Sequence, residues 1–177
     1  KKQKMSLIKK GEDAKNEINN NPELTEKEKD DANKAIDDAV ENGKEAIDNG
    51  TTVPGIEDIE KDTETKIDEI IQASELQAAK NKAVKELQAY ADSNLATVNG
   101  NTSVTEAQKG EYVTQINTIV ETATEEILVA TEVASIQPIV DTAKTAIDQV
   151  KVAAEEQENT NVEAEKEKAK DELDKKG

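Results

Sequence analysis

Apolar residues recur at intervals of three and four along most of the chain, with charged and amide residues between them. That spacing paints a stripe on one face of an α-helix and does not match the alternation a strand requires. Leu7, Ile8, Ala14 and Ile18 predict a first helix, stopped by Asn19-Asn20-Asn21-Pro22. Thr25-Glu26-Lys27-Glu28 reads as a capping box: the threonine oxygen accepts a backbone N–H and Glu28 reaches back. A second helix follows, with Ala32, Ala35, Ile36, Ala39, Val40, Gly43, Ala46 and Ile47 on its stripe. Asn49-Gly50 is expected to end it in left-handed backbone. Pro54 opens the third helix, where a missing N–H is harmless, and Ile56, Ile59, Thr63, Ile67, Ile70 and Ser74 form its seam. No breaker comes next, and the pattern runs on through Leu76, Ala79, Ala83, Leu87 and Tyr90. The step from Ile70 to Leu76 falls one residue short of staying in phase, which rotates the stripe by about 100°. One continuous helix is therefore expected to end one bundle and begin the next, spanning roughly 50 Å between Pro54 and Tyr90.

The same pattern then returns. Thr25, Ile36, Val40, Ile47, Val53, Ile56, Ile59, Ile67 and Ile70 align without a gap on Thr105, Ile116, Val120, Ile127, Val133, Ile136, Ile139, Ile147 and Val150. A long period made of helical patterns marks a tandem array. For the first helix, Ala14 to Ile18 is matched to Ala83 to Leu87, so eleven extra residues are expected before the second capping box, Thr105 to Gln108. Eleven residues are close to three helical turns, and a partial helical extension through Asn94, Leu95 and Val98 is favoured over a longer loop. Lys166 to Leu173 mirrors Lys80 to Leu87 and reads as the start of a third copy, with Asn159-Thr160-Asn161 as its weak point. The expected fold is all-α: two tandem three-helix bundles joined by a shared continuous helix, making an elongated rod. Residues 1–75 and 76–150 are the two repeats, and 151–177 the truncated third.

Composition narrows the possible roles. The net charge is −17, and every one of the 23 basic residues is lysine. Nucleic acid and anionic membrane surfaces both require clustered positive charge, so neither is an expected partner. No apolar run approaches the length needed to span a bilayer. Phe, Trp, His and Cys are absent, so the core must be thin, aliphatic and spread along the helices.

Carboxylates are the only abundant chemistry. Asp30-Asp31 and Asp37-Asp38 fall on the polar side of the second helix and read as a solvated face, because a Ca²⁺ loop needs oxygens converging around a turn. Zinc lacks its usual ligands here, and no serine or threonine has a base resembling a nucleophile's partner. Asn99-Gly100-Asn101 is a turn, since phosphate loops follow a strand. Tyr90 and Tyr112, the only aromatics, could anchor a partner, but both lie on helix seams and are expected to cover the second bundle. Asn49-Gly50-Thr51 fits a glycosylation pattern only formally. No catalytic residue, cofactor site or metal site is assigned, and the chain is expected not to be an enzyme.

Ala14-Lys15-x-Glu17-Ile18, Leu24-Thr25-x-x-Glu28-Lys29, Ala32-x-x-x-Ile36 and Ala46-Ile47-Asp48 together resemble the tandem repeat catalogued as domain of unknown function 1542. In the second copy, Val104 stands for the leucine and Gln108 for the glutamate. The resemblance covers residues 5–150 and implies helical bundles in long, cell-wall-anchored surface proteins of Gram-positive bacteria, with roles in adhesion or biofilm. It implies no catalytic residues. The expected function is thus a stalk or spacer of a bacterial adhesin, extracellular and held at the cell wall through regions outside this segment. Its expected partners are the neighbouring repeats, and a monomer is expected. The alternative is a module that binds a host serum protein or another copy of itself. That reading requires an exposed apolar patch beyond the seams, and the pattern leaves none.

Overall fold

The computed structural model describes all residues, Lys1–Gly177, and contains helices and turns only. The helices are α1 (Lys2–Asn19), α2 (Glu26–Asp48), α3 (Val53–Asn99), α4 (Glu106–Leu128) and α5 (Ile136–Lys176), with a 3₁₀ turn at Val133–Ser135. Helix α3 has no break at residues 71–76, as the uninterrupted apolar pattern predicted. The chain divides into two compact units, Lys1–Lys82 and Ala83–Gly177.

In the first unit, α1, α2 and the first part of α3 enclose Ala14, Ile18, Leu24, Ile36, Ile67 and Ala78, with Ala39, Val40, Ile70 and Ile71 packed against them. The second unit buries Leu87, Val98, Val104, Ile116, Ile127, Val140 and Ile147 in the same way. Nearly all of this is aliphatic, which matches a core built without large aromatics.

The face change on α3 lies later than the sequence pattern places it. The stripe of the first unit continues past Ile70 and Ile71 to buried Ala78, and that of the second begins at buried Ala83. Five residues turn a helix by about 140° beyond a full turn. The delay arises because Ala78 joins the cluster that contains Ile18 and Leu24, so the third helix must reach its own α1–α2 loop before it changes face.

The eleven-residue insertion is not there. Helix α3 runs through Asn94, Leu95 and Val98 to Asn99 as the favoured extension has it, a turn at 100–104 leads to Thr105, and the fold keeps one offset of eighty from end to end. Buried Leu7, Gly11, Ala14 and Ile18 of α1 correspond to buried Leu87, Ala91, Asn94 and Val98 of α3. The two loops confirm it, since Asn21 Oδ1 accepts the Glu23 N–H and Asn101 Oδ1 the Ser103 N–H, both at 2.9 Å. The match of Ala14 with Ala83 was produced by the three-turn coincidence: helical stripes eleven residues apart look alike.

Both capping boxes form, Thr25 with Glu28 and Thr105 with Gln108. The exit of α2 differs from expectation. No residue has positive φ; Asn49 stays in right-handed backbone at φ −89°, and Gly50 N–H bonds to Ile47 O at 3.0 Å. A tight 3₁₀-type last bond satisfies the carbonyl that a left-handed residue would otherwise have served. That is why Val129-Ala130 can fill the same turn in the second unit, where Ala130 N–H bonds to Ile127 O. Entry to α5 also has a local cause. Pro138 has no N–H to give, and a start at Ile136 after the 3₁₀ turn leaves it in the first turn of the helix, where none is needed.

Candidate functional site

One polar constellation is built twice. In the first unit Asn81, on α3, donates to Glu23 O at 2.8 Å and to Glu28 Oε1 at 2.7 Å. Its own oxygen accepts from Gln77 Nε2 at 2.9 Å. The Glu28 carboxylate at the same time accepts the Thr25 N–H at 2.9 Å. In the second unit Asn161, on α5, donates to Ser103 O at 2.7 Å and Gln108 Oε1 at 2.9 Å, and accepts from Gln157 at 2.9 Å. An amide offers two donors and an acceptor in fixed directions, so one asparagine ties the third helix of each unit to the loop and cap between the other two. The reading of Asn159-Thr160-Asn161 as a weak point is overturned: Asn161 is where α5 is fastened.

The two clasps differ in charge. Burial raises the Glu28 carboxyl, but the Thr25 N–H, the Asn81 amide, the Thr25 hydroxyl and Lys27 together outweigh it, and the group ends below the usual carboxylate range. Gln108 does the same work without a titrating proton.

The carboxylates singled out in the sequence are surface groups in ion pairs. Lys27 holds Asp31, Lys34 holds Asp38 and Lys15 holds Asp37, each at 2.7 Å, and Asp30 is exposed. The Lys27 and Lys34 ammonium groups are raised by hydrogen bonds to these partners and by their charge. Such exposed pairs are worth little to stability. No group of three or more carboxylates converges as metal ligands would.

Both tyrosines are half-buried and engaged within the second unit. The Tyr90 hydroxyl donates to the Asp148 carboxylate, which raises its pKa through that bond, partial burial and the negative charge. Lys144 Nζ lies 5.2 Å from the centre of the Tyr90 ring and 2.5 Å from Glu86 Oε1. Tyr112 donates to Ala153 O at 3.5 Å, at the outer limit of a hydrogen bond. The first unit has Lys10 and Asp68 in the places of Tyr90 and Asp148, joined by a 2.8 Å ion pair. The aromatic ring therefore replaces a cross-helix salt bridge.

Cavities are open grooves. One, about 810 Å³, lies in the second unit between the 102–105 loop and α5 from Asn161 to Ala169. A second, about 600 Å³, lies between α2 and α3 in the first unit. A third, about 520 Å³, lies over the α1–α2 seam near Asn33, whose Oδ1 is buried without a partner. The expectation that the stripes account for the apolar residues also needs correction, because Met5, Ile8, Leu128, Val129 and Val133 are exposed. The helical pattern locates a stripe but not the edge of what a neighbour covers.

The family model described as Domain of Unknown Function (DUF1542) matches residues 2–75 and again 79–155. No curated protein and no solved structure matches the chain.

Proposed function

This chain belongs to the DUF1542 family, in tandem copies, and from that premise we propose that it is a non-enzymatic spacer of a bacterial surface adhesin. It stands outside the cell, held at the wall through other regions, and projects a ligand-binding region to support adhesion or biofilm. Its contacts are with neighbouring repeats; nucleic acid and membrane insertion play no part.

The observation that carries this reading is α3. A single helix of 47 residues supplies the last helix of one unit and the first of the next. At 1.5 Å per residue its contour is about 70 Å, and no loop interrupts it. The cell-wall context rests on the family resemblance. Two further features agree: no helix is long and apolar enough to cross a membrane, and a net charge of −17 keeps similar surfaces apart at low salt.

Small-angle scattering tests the proposal. A distance distribution with a long tail, its maximum well above the α3 contour, is the expected result. A compact particle, or two lobes with freely varying separation, would overturn it.

A further inference from the structure

The 600 Å³ groove of the first unit has a floor of Ala39, Gly43 and Ala46 from α2 and Ile59 and Ile70 from α3. Its rim carries Asp38, which Lys34 pairs at 2.7 Å, together with Asp62, Glu69 and Lys66. On the same unit, the outer face of α1 carries a protruding apolar pair: Met5 is 61% exposed and Ile8 38%. These residues lie one helical turn apart, on one face. Exposed Lys1 and Lys2 lie one turn before Met5, while Lys9 is held by Asp13 at 2.9 Å and Lys4 and Lys10 pair with Asp48 and Asp68, each at 2.8 Å. An apolar knob in a basic setting and an apolar groove with an acidic rim are complementary.

The second unit serves as an internal control. At the offset of eighty, Ala39 becomes Ile119 and Ala46 becomes Glu126, so larger side chains stand at two of the floor positions. The rim residues Asp38, Asp62 and Glu69 become Thr118, Thr142 and Gln149. Met5 and Ile8 become Lys85 and Gln88. The residues that make the groove floor, the rim charge and the knob in the first unit are all replaced at the matching positions of the second. Nothing in the bundle fold requires this, since both units fold on the same plan.

We infer that the first unit carries a self-association surface, in which the Met5–Ile8 face of α1 from one copy of the chain seats in the α2–α3 groove of another. The contact is heterologous, so each copy offers one knob and one groove, and association runs open-ended rather than closing as a symmetric dimer. The groove is small beside a standard stable interface, and the overall negative charge opposes approach. The contact is therefore weak, a matter of crowded surfaces rather than dilute solution. The inference is independent of the spacer reading.

Analytical ultracentrifugation of the whole chain at physiological salt, up to about 1 mM, tests it. The wild type should gain mass steadily with concentration. Two variants use residues that the second unit already carries at these positions: Ala39→Ile to fill the groove, and Met5→Lys with Ile8→Gln to remove the knob. Each should weaken association by roughly tenfold or more, while circular dichroism shows unchanged helix. Mixing them is decisive. The filled-groove variant still has its knob and the knobless variant its groove, so the mixture should form a one-to-one pair that stops there. Because Met5 is the only methionine and cysteine is absent, mild peroxide treatment should weaken association too, by making the knob polar. A mass independent of concentration overturns the inference and leaves the groove to another protein's basic helix. Association that survives both variants, or a mixture that fails to pair, overturns it as well.

Discussion

Single residues decide how closely the helices of each unit approach. A Cβ placed on Gly43 would lie 2.6 Å from Thr63 Oγ1 and 2.8 Å from its methyl carbon. Thr63 cannot step aside easily, because it is buried and its hydroxyl donates to Ile59 O at 2.8 Å. Gly43→Ala should therefore lower stability: overpacking costs about 1–3 kcal/mol, only partly offset by about 1 kcal/mol of helix propensity. The second unit solves the same contact with Ala123 and Ala143, both buried. Adding Thr63→Ala to Gly43→Ala reproduces that pair and should restore the loss. Urea denaturation of the two single variants and the double gives the coupling, and additive effects would count against the steric account. Glu28 provides the pH dependence. Its carboxyl is depressed in the folded chain, so its contribution is present above the ordinary value of 4.5 and is lost as pH falls through the folded value. Glu28→Gln, the residue the second clasp uses, should be less stable than wild type at neutral pH, and the gap should close in acid. A gap that widens in acid would contradict the assignment.

Elements carry most of what the sequence made legible. The bounds of α1, α2 and α4 follow from stop signals and capping boxes because those are local chemistry: a threonine three residues before Glu or Gln satisfies orphan N–H groups wherever the chain lies. The α2 exit was misjudged for the opposite reason. Asn-Gly permits left-handed backbone but does not require it, and the tight last bond to Ile47 O decided the conformation. Gly110 illustrates a helix residue with no structural demand on it. A Cβ there meets nothing within 4 Å, and the matching position of the first unit is the exposed Asp30. Gly110→Ala should stabilise α4 by about 0.5–1 kcal/mol, since glycine loses more freedom on folding. The check is a higher midpoint in urea at unchanged slope.

For the molecule as a whole, periodicity determined the class of fold. The sequence alone established helices throughout, a long period and a helix without interruption from Pro54 to Tyr90. Tertiary structure decided what those patterns could not. It set the offset of the first helix at eighty rather than sixty-nine, because stripes eleven residues apart look alike until a neighbour covers one of them. It moved the face change on α3 to Ala78 and Ala83, because the third helix has to reach its own loop. It also gave Asn81 and Asn161 their purpose. Their partners lie 53 and 58 residues away, and the only trace in the sequence is that each asparagine follows a glutamine by four residues at the common offset. A helical stripe is a property of neighbours along the chain and can be read from it. A hydrogen bond between distant residues exists only once the helices have met, and its geometry is set by packing that no local pattern encodes.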